Sequence, residues 1–370
     1  MNYELQMKKE WEKYQAEKES RLLPTVLLLG ISGAGKSSLI NTVFGKPIAK
    51  VSNVEPETID VNVYKGHDYG KKVNLIDSAG YEMNEGNTFF DKFTSDIKDG
   101  IELSKEKPKE KIHIIWYCIS ILNERVEDMD IKLLKSLYSE ESLKKRVCVV
   151  FTKCDEDDEE GSTAKNLKDV LYQEVGYRIP CFQTSNDPDL KLELDDLIKW
   201  SGNSLDDNDL RAAFISAQIV NLDAKKKEAE ALILKYSAAA SASTLIPIPG
   251  SDSVAIGGLQ IKMIYDILDL YGIAELANIP MPVIVDMVIS QLGKQVAMKI
   301  ISFIPYVKVV NAGVAGTITN LLGRAISKIC YEAANDHLSG KNVNWVNIID
   351  SSVLDLAISA VKNDVKLDTK

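Results

Sequence analysis

The chain has 370 residues, 45% of them hydrophobic and 26% charged, with 54 acidic against 44 basic side chains and a formal net charge of −10. That length suits two domains. The acidic balance gives no support for wide nucleic-acid binding through phosphate attraction, so DNA is not an expected partner, while an RNA or ribosomal partner stays open without being favoured. The five cysteines form no C-x-x-C pair and the three histidines stand far apart, which argues against a zinc site. Cys118, Cys148 and Cys181 fall in apolar runs, and an odd, scattered set of this kind fits a reducing cytoplasm.

The first predicted element is a charged helix over residues 3 to about 22. Lys8, Lys9, Glu10 and Glu12 leave no apolar core for a signal peptide. Trp11, Tyr14 and Leu22 offer it a way to pack, either on the domain that follows or on the C-terminal helices.

Thr25-Val26-Leu27-Leu28-Leu29 reads as a buried strand and runs into Gly30-Ile31-Ser32-Gly33-Ala34-Gly35-Lys36-Ser37, with helix-forming Ser38-Leu39-Ile40-Asn41 after it. This is the phosphate-binding pattern G-x-x-x-x-G-K-[ST] between a strand and a helix. Its glycines let successive N–H groups of Ser32, Gly33, Ala34, Gly35, Lys36, Ser37 and Ser38 turn inward, and the helix N-terminus completes an anion cradle. Lys36 is placed to reach the β- and γ-phosphates and Ser37 to offer its hydroxyl to Mg²⁺.

A segment that senses the γ-phosphate needs a threonine to reach the same metal. Thr58 is the only threonine between Thr42 and Asp77, so elimination names it. Val73-Asn74-Leu75-Ile76 reads as the next buried strand and ends in Asp77-Ser78-Ala79-Gly80. Asp77 suits a Mg²⁺ contact through water and the Gly80 N–H a contact with the γ-phosphate. Val147-Cys148-Val149-Val150-Phe151 is a further buried strand, ending in Thr152-Lys153-Cys154-Asp155, which matches [NT]-K-x-D. The Asp155 carboxylate can accept from guanine N1–H and the exocyclic amine. Adenine offers no such donor pair and would leave the carboxylate unpaired. The Lys153 stem can lie along the base. The acidic run Asp155 to Glu160 reads as a solvated loop beside that pocket. Ile179 to Gln183 reads as the last strand, followed by Thr184-Ser185-Asn186.

These motifs stand in the order and on the strand ends of a GTPase. Residues 24 to about 200 resemble a translation-factor-class, Era-like P-loop G domain. Gly-Ile-Ser-Gly-Ala-Gly-Lys-Ser-Ser is similar to the loops of septins, immunity-associated nucleotide-binding proteins and interferon-inducible immunity-related GTPases. The resemblance implies GTP and GDP as ligands with Mg²⁺, held by Ser37, Thr58 and Asp77. Lys36, Thr58 and Gly80 then act on the transferring phosphoryl group, and Ser185 and Asn186 stand where a Ser-Ala-Lys loop meets the guanine carbonyl. Two departures bear on rate. Tyr81 follows Gly80 where Ras-like enzymes place a water-orienting Gln, and Gly33 stands where potassium-activated relatives carry Asn. The expectation is a GTPase of slow basal turnover, accelerated by G-domain homodimerisation, other self-association or a partner. Glu82 and Arg125 are candidate helpers against a default of simple solvation.

After Trp200 the strand-like runs stop. Asp206 to Tyr236 reads as one long helix with Lys225-Lys226-Lys227-Glu228 on a solvated face. Pro247 and Pro249 break the chain, and Ser251 or Asp252 caps the next helix. There Lys262, Asp266 and Asp269 fall on one side and Val254, Ile261, Ile264 and Leu268 on the other. Further helices are predicted over about 283–304, 307–337 and 346–362, the middle one rich in small residues that allow close helix approach. Residues 236 to about 330 resemble a helical domain of unknown function fused to bacterial Era-like GTPases. Lys308 and the two prolines interrupt every apolar stretch long enough to span a bilayer. Peripheral membrane contact through an apolar hairpin stays open, with a cytoplasmic location otherwise.

The expected architecture is therefore an α/β mononucleotide-binding G domain, a mostly parallel sheet flanked by helices, over residues 24–202. A charged helix precedes it over 1–23 and an all-α domain follows it over 203–370. The expected activity is GTP hydrolysis coupled to self-association or partner binding. A membrane-associating effector of the immunity-related or dynamin-like kind and a ribosome-associated assembly GTPase are the rival readings.

Overall fold

The computed structural model describes residues 3–45, 61–66, 72–78, 111–187, 189–190, 192–242, 258–288 and 311–341. Thr58, Gly80, Tyr81, Glu82, the two-proline break and the last predicted helix lie outside them. Two compact units emerge: Leu22–Asn221, and Met1–Arg21 together with Leu222–Lys370. Met1–Arg21, nearly all of the 1–23 segment set apart by the sequence reading, falls in the second unit, and residues 203–221 fall in the first.

The Leu22–Asn221 unit is built on a sheet of order β2-β3-β1-β4-β5-β6, from β1 (Thr25–Leu29), β2 (Val61–Tyr64), β3 (Asn74–Ser78), β4 (Ile114–Ser120), β5 (Val147–Thr152) and β6 (Cys181–Gln183). All pairs are parallel except β2 with β3. β1, β4 and β5 are buried at every position, which is why they read as unbroken apolar runs rather than alternating ones. β1 lies between β3 and β4, so the chain turns to opposite sides of it, and the crevice beyond its C-terminal end is where a ligand belongs in such a sheet. Register brings the chemistry to one edge: Leu28 pairs with Asp77, Leu29 with Tyr117, and Ser120 with Thr152.

One face of the sheet is closed by α3 (Asp128–Ser139) and α4 (Ser162–Val175), whose Leu133, Leu134, Leu137, Leu167 and Leu171 share a core with Tyr117, Val149 and Phe151. On α2 (Lys36–Phe44), Phe44 stacks on Trp116 at 5.9 Å and meets Phe214 edge-on at 6.1 Å. Phe214 lies on α6 (Asn208–Ala217), and α5 (Leu194–Asn203) supplies Ser201, whose Oγ accepts from Trp116 Nε1 at 3.0 Å.

The second unit gathers α1 (Tyr3–Ser20), α7 (Leu222–Ala242), α8 (Gly258–Tyr271) and α9 (Asn311–Leu338). Gly316 lets α9 meet α7, for a Cβ there would stand 1.9 Å from Ser241 Oγ and 2.8 Å from the Ser237 carbonyl. The long helix read over residues 206–236 is instead two, α6 and α7. Gln218, fully buried, breaks it: its Nε2 donates to the carbonyls of Ile215 (3.1 Å) and Asn221 (2.9 Å), and its Oε1 accepts from Asn221 N–H (2.7 Å). Lys225 is not on a solvated face. It is 2% exposed and its Nζ donates to the Leu270 carbonyl at 2.8 Å.

The polar side of α8 is likewise no solvent face. Asp269 accepts from Tyr14 OH (2.6 Å) and Lys18 Nζ (2.9 Å), and Asp266 from Arg21 (3.0 Å) and Tyr236 OH (2.5 Å). Tyr14 stacks on Tyr265 at 5.1 Å with Trp11 beside both. The N-terminal helix packs on α8, which is among the C-terminal helices that the sequence offered it. Burial, then Asp269 and Asp266, raise the pKa of the Tyr14 hydroxyl well above its ordinary value, so it stays a donor. Among the described residues no helix is long and apolar enough to cross a membrane.

Candidate functional site

The turn from β1 to α2 is shaped by backbone crowding. Gly30 (φ 135°) lies under β4 so closely that a Cβ would stand 2.3 Å from the Cys118 carbonyl. Gly35 (φ 81°) ends the turn, and a Cβ there would press on the Thr152 side chain at 3.2 Å. Thr152 answers with a hydrogen bond from Oγ1 to the Ala34 carbonyl at 2.8 Å. That bond joins the [NT]-K-x-D strand end to the phosphate loop, a link that motif spacing alone does not give. Ser32 and Gly33 are exposed at the loop tip, Ala34 is buried beneath it, and Gly35, Ser37 and Ser38 are half-buried.

Lys36 opens α2 and is 7% exposed, with Nζ donating to the carbonyls of Gly30 (2.9 Å) and Ile31 (3.0 Å). Burial lowers its pKa, and Asp77 and Cys118 draw it partly back. Ser37 Oγ donates to Asp77 Oδ2 at 2.7 Å, while Asp77 Oδ1 is buried with no hydrogen-bond partner. Burial raises the Asp77 pKa against the pull of Ser37 and Lys36. A buried carboxylate oxygen left without a partner, next to a serine hydroxyl, offers oxygen donors suited to a hard cation such as Mg²⁺. Ser37 and Asp77 are therefore brought together, whereas Thr58 and Gly80 lie outside the described residues.

At the far end of the sheet, Lys153 takes a left-handed conformation (φ 59°) and turns the chain into the short helical segment Cys154–Glu156. Backbone bonds hold the β6 end against it: Cys154 N–H donates to the Thr184 carbonyl (3.1 Å) and Thr184 N–H to the Phe151 carbonyl (2.8 Å). Ser185 is 5% exposed; its Oγ donates to Asp155 Oδ1 at 2.8 Å and accepts from Asp187 N–H at 2.9 Å. Asp155 and Ser185 are thus one unit, and Asn186 Oδ1 accepts from Thr42 on α2 at 3.3 Å. The rest of the acidic run is not merely solvated. Asp157 accepts from the N–H groups of Thr163 and Ala164, and Asp158 from that of Ser162, satisfying the first donors of α4. Arg125 is paired with Glu127 at 2.7 Å in an exposed position.

The family described as "50S ribosome-binding GTPase" matches residues 25–153, which run from β1 to the turn after β5. This part of the chain is a P-loop GTPase domain.

The chain is 34% identical over 89 residues to a probable GTP-binding protein EngB of Aquifex aeolicus, covering 22% of this chain and 47% of that protein. It is 27% identical over 194 residues to the GTPase Der of Campylobacter lari, covering 51% of this chain and 36% of that protein. A neuronal-specific septin-3 of Danio rerio is 24% identical over 136 residues, 30% of this chain and 37% of its own length. The chain thus spans less than half the length of each of these relatives.

Proposed function

We propose that the chain binds GTP with Mg²⁺ and hydrolyses it to GDP and phosphate, and that the nucleotide bound governs self-association or partner binding through the helical unit. The observation that carries the reading is the Asp155–Ser185 pair, tied through β5 and Thr152 to the phosphate loop. A carboxylate steadied by one serine keeps acceptor capacity for the two guanine donors, and its strand end is hydrogen-bonded to the loop that takes the phosphates.

In this reading Lys36 leaves the Gly30 and Ile31 carbonyls for the phosphate oxygens, exchanging neutral acceptors for charged ones. Ser37 and Thr58 would hold Mg²⁺ directly and Asp77 through water. The metal supplies positive charge against the transferring phosphoryl group. The loop N–H groups and Lys36 hold the phosphates in line with an attacking water, and Gly80 reports the γ-phosphate. Tyr81 gives no carboxamide to orient that water, so basal turnover is slow and rises when a second molecule completes the site.

The test is GTP turnover per molecule over a wide range of protein concentration, with ATP as competitor of labelled GTP. A specific rate that climbs with concentration supports self-completion, and a flat, low rate assigns the missing group to another partner. Displacement of GTP by equimolar ATP would refute the role given to Asp155. A second reading, contact with the large ribosomal subunit, is favoured by the description of the matched family. It requires salt-sensitive co-sedimentation with ribosomes that changes between GDP and a GTP analogue.

A further inference from the structure

α2 begins at the phosphates with Lys36 and Ser37, and it ends on a cap that comes from far along the chain. The last carbonyls of a helix have no partner within it. Gly45 N–H takes the Asn41 carbonyl at 3.1 Å, and Ile219 N–H takes the Val43 carbonyl at 2.8 Å. A Cβ placed on Gly45 would stand 3.5 Å from Ile219 Cδ1, an ordinary van der Waals contact, so the Ile219 side chain flanks the same helix end. Ile219 sits in the bend between α6 and Asn221, which the buried Gln218 side chain ties at both ends, so residues 215–221 form a stiff knot. Asn221 is followed directly by Leu222, the first residue of α7, and Lys225 fixes the start of α7 to the end of α8 through the Leu270 carbonyl.

We propose that this knot is the element through which the helical unit responds to the bound nucleotide: α2 is displaced at its phosphate end, the Val43–Ile219 bond passes the displacement to residues 215–221, and the peptide bond to Leu222 delivers it to α7. The proposal rests on the GTP-binding reading above. It names a contiguous route, hydrogen-bonded at one end to α2 and covalently continuous at the other with the helical unit.

Two substitutions separate the knot from the site. Ile219→Pro removes the N–H, and the backbone of Gln218 (φ −74°, ψ 153°) already has the extended form that a residue before proline adopts. Gln218→Met keeps the volume and removes the bonds. Neither residue touches the loop or the base pocket. Hydrogen–deuterium exchange over Leu222–Ala242 of the full chain is compared between GDP and a non-hydrolysable GTP analogue. In the unaltered protein the two states are expected to differ by about fivefold or more. In both variants the difference collapses while GDP and analogue affinities stay within about twofold of the unaltered protein. A nucleotide-dependent difference that survives in a folded variant overturns the proposal, as does an unaltered protein that binds both nucleotides yet shows none. If Ile219→Pro fails to melt cooperatively, Gln218→Met decides. Failure of the unaltered protein to bind either nucleotide refutes the GTP reading itself, a result distinct from all of these.

Discussion

Two clusters of polar side chains, one in each unit, are satisfied in opposite ways. In the helical unit both carboxylate oxygens of Asp266 and of Asp269 are taken, by Arg21, Tyr236, Tyr14 and Lys18. In the nucleotide-binding unit Lys36 rests on two backbone carbonyls and Asp77 keeps one oxygen buried and unpartnered. Saturated groups fix how α1, α7 and α8 fit together, and replacing them costs stability. Unsaturated groups carry a desolvation cost in the free protein that a ligand relieves, so replacing them costs binding.

Substitutions can break that contrast or sharpen it. The largest effect is expected for Lys36→Ala: GTP affinity falls about a thousandfold, on the order of 4 kcal/mol, with little change in the melting temperature of the free protein. Fluorescent-nucleotide titration and calorimetry on one sample read both, and retained micromolar GTP affinity would remove Lys36 from the site. Asp266→Ala should do the reverse, lowering stability in urea by about 2–3 kcal/mol with GTP affinity unmoved, since Arg21 and Tyr236 lose their shared acceptor. A loss of nucleotide binding as large as that of Lys36→Ala would show that Asp266 supports the nucleotide site itself and not only the packing of α1, α7 and α8.

Asp77→Asn is expected to raise the stability of the nucleotide-free protein by about 1 kcal/mol and to abolish Mg²⁺-dependent tightening of GTP binding, because it removes a buried charge that Ser37 and Lys36 offset only in part. A pH series checks the same point. The Asp77 pKa is raised in the folded state, so folding favours the protonated form, and the free protein should lose stability as pH rises through that raised value. That slope should vanish in Asp77→Asn. The smallest effect is that of Asp157→Ala, about 1 kcal/mol or less through the lost cap on α4, readable as a small shift in urea midpoint.

The nucleotide-binding unit was legible because its chemistry depends on local spacing. Gly30 to Ser37, Asp77 and Thr152 to Asp155 each sit where a buried strand ends, so the apolar run announces the edge and the polar tail names the role. The links between those edges, Thr152 to Ala34 and Ser185 to Asp155, join positions 118 and 30 residues apart, and no local pattern contains them. The helical unit was less legible for a physical reason. Periodicity sorts residues into apolar and polar faces, but it cannot say whether a polar face meets water or another polar face. So Lys225, read as solvated, is buried on a carbonyl, and Asp266 and Asp269 meet Arg21, Tyr236 and α1 instead of solvent, while Lys262 pairs with Glu17 at the exposed edge. Helical spacing also continued through Gln218 because glutamine is a good helix former. Its side chain ends the helix by binding the backbone on both sides of the bend.

The pairing of α1 with α8 also sets an order of events during synthesis. Tyr14 and its acceptor Asp269 are 255 positions apart, with the whole nucleotide-binding unit encoded between them. At roughly 5–20 residues per second, the interval between their appearances is on the order of tens of seconds. Throughout it Trp11 and Tyr14 have no native aromatic neighbour beyond each other, while the sheet around β1 can already assemble. Long-range closure of this kind slows folding. A circular permutant that places α1 directly beside α8 in sequence would shorten that wait.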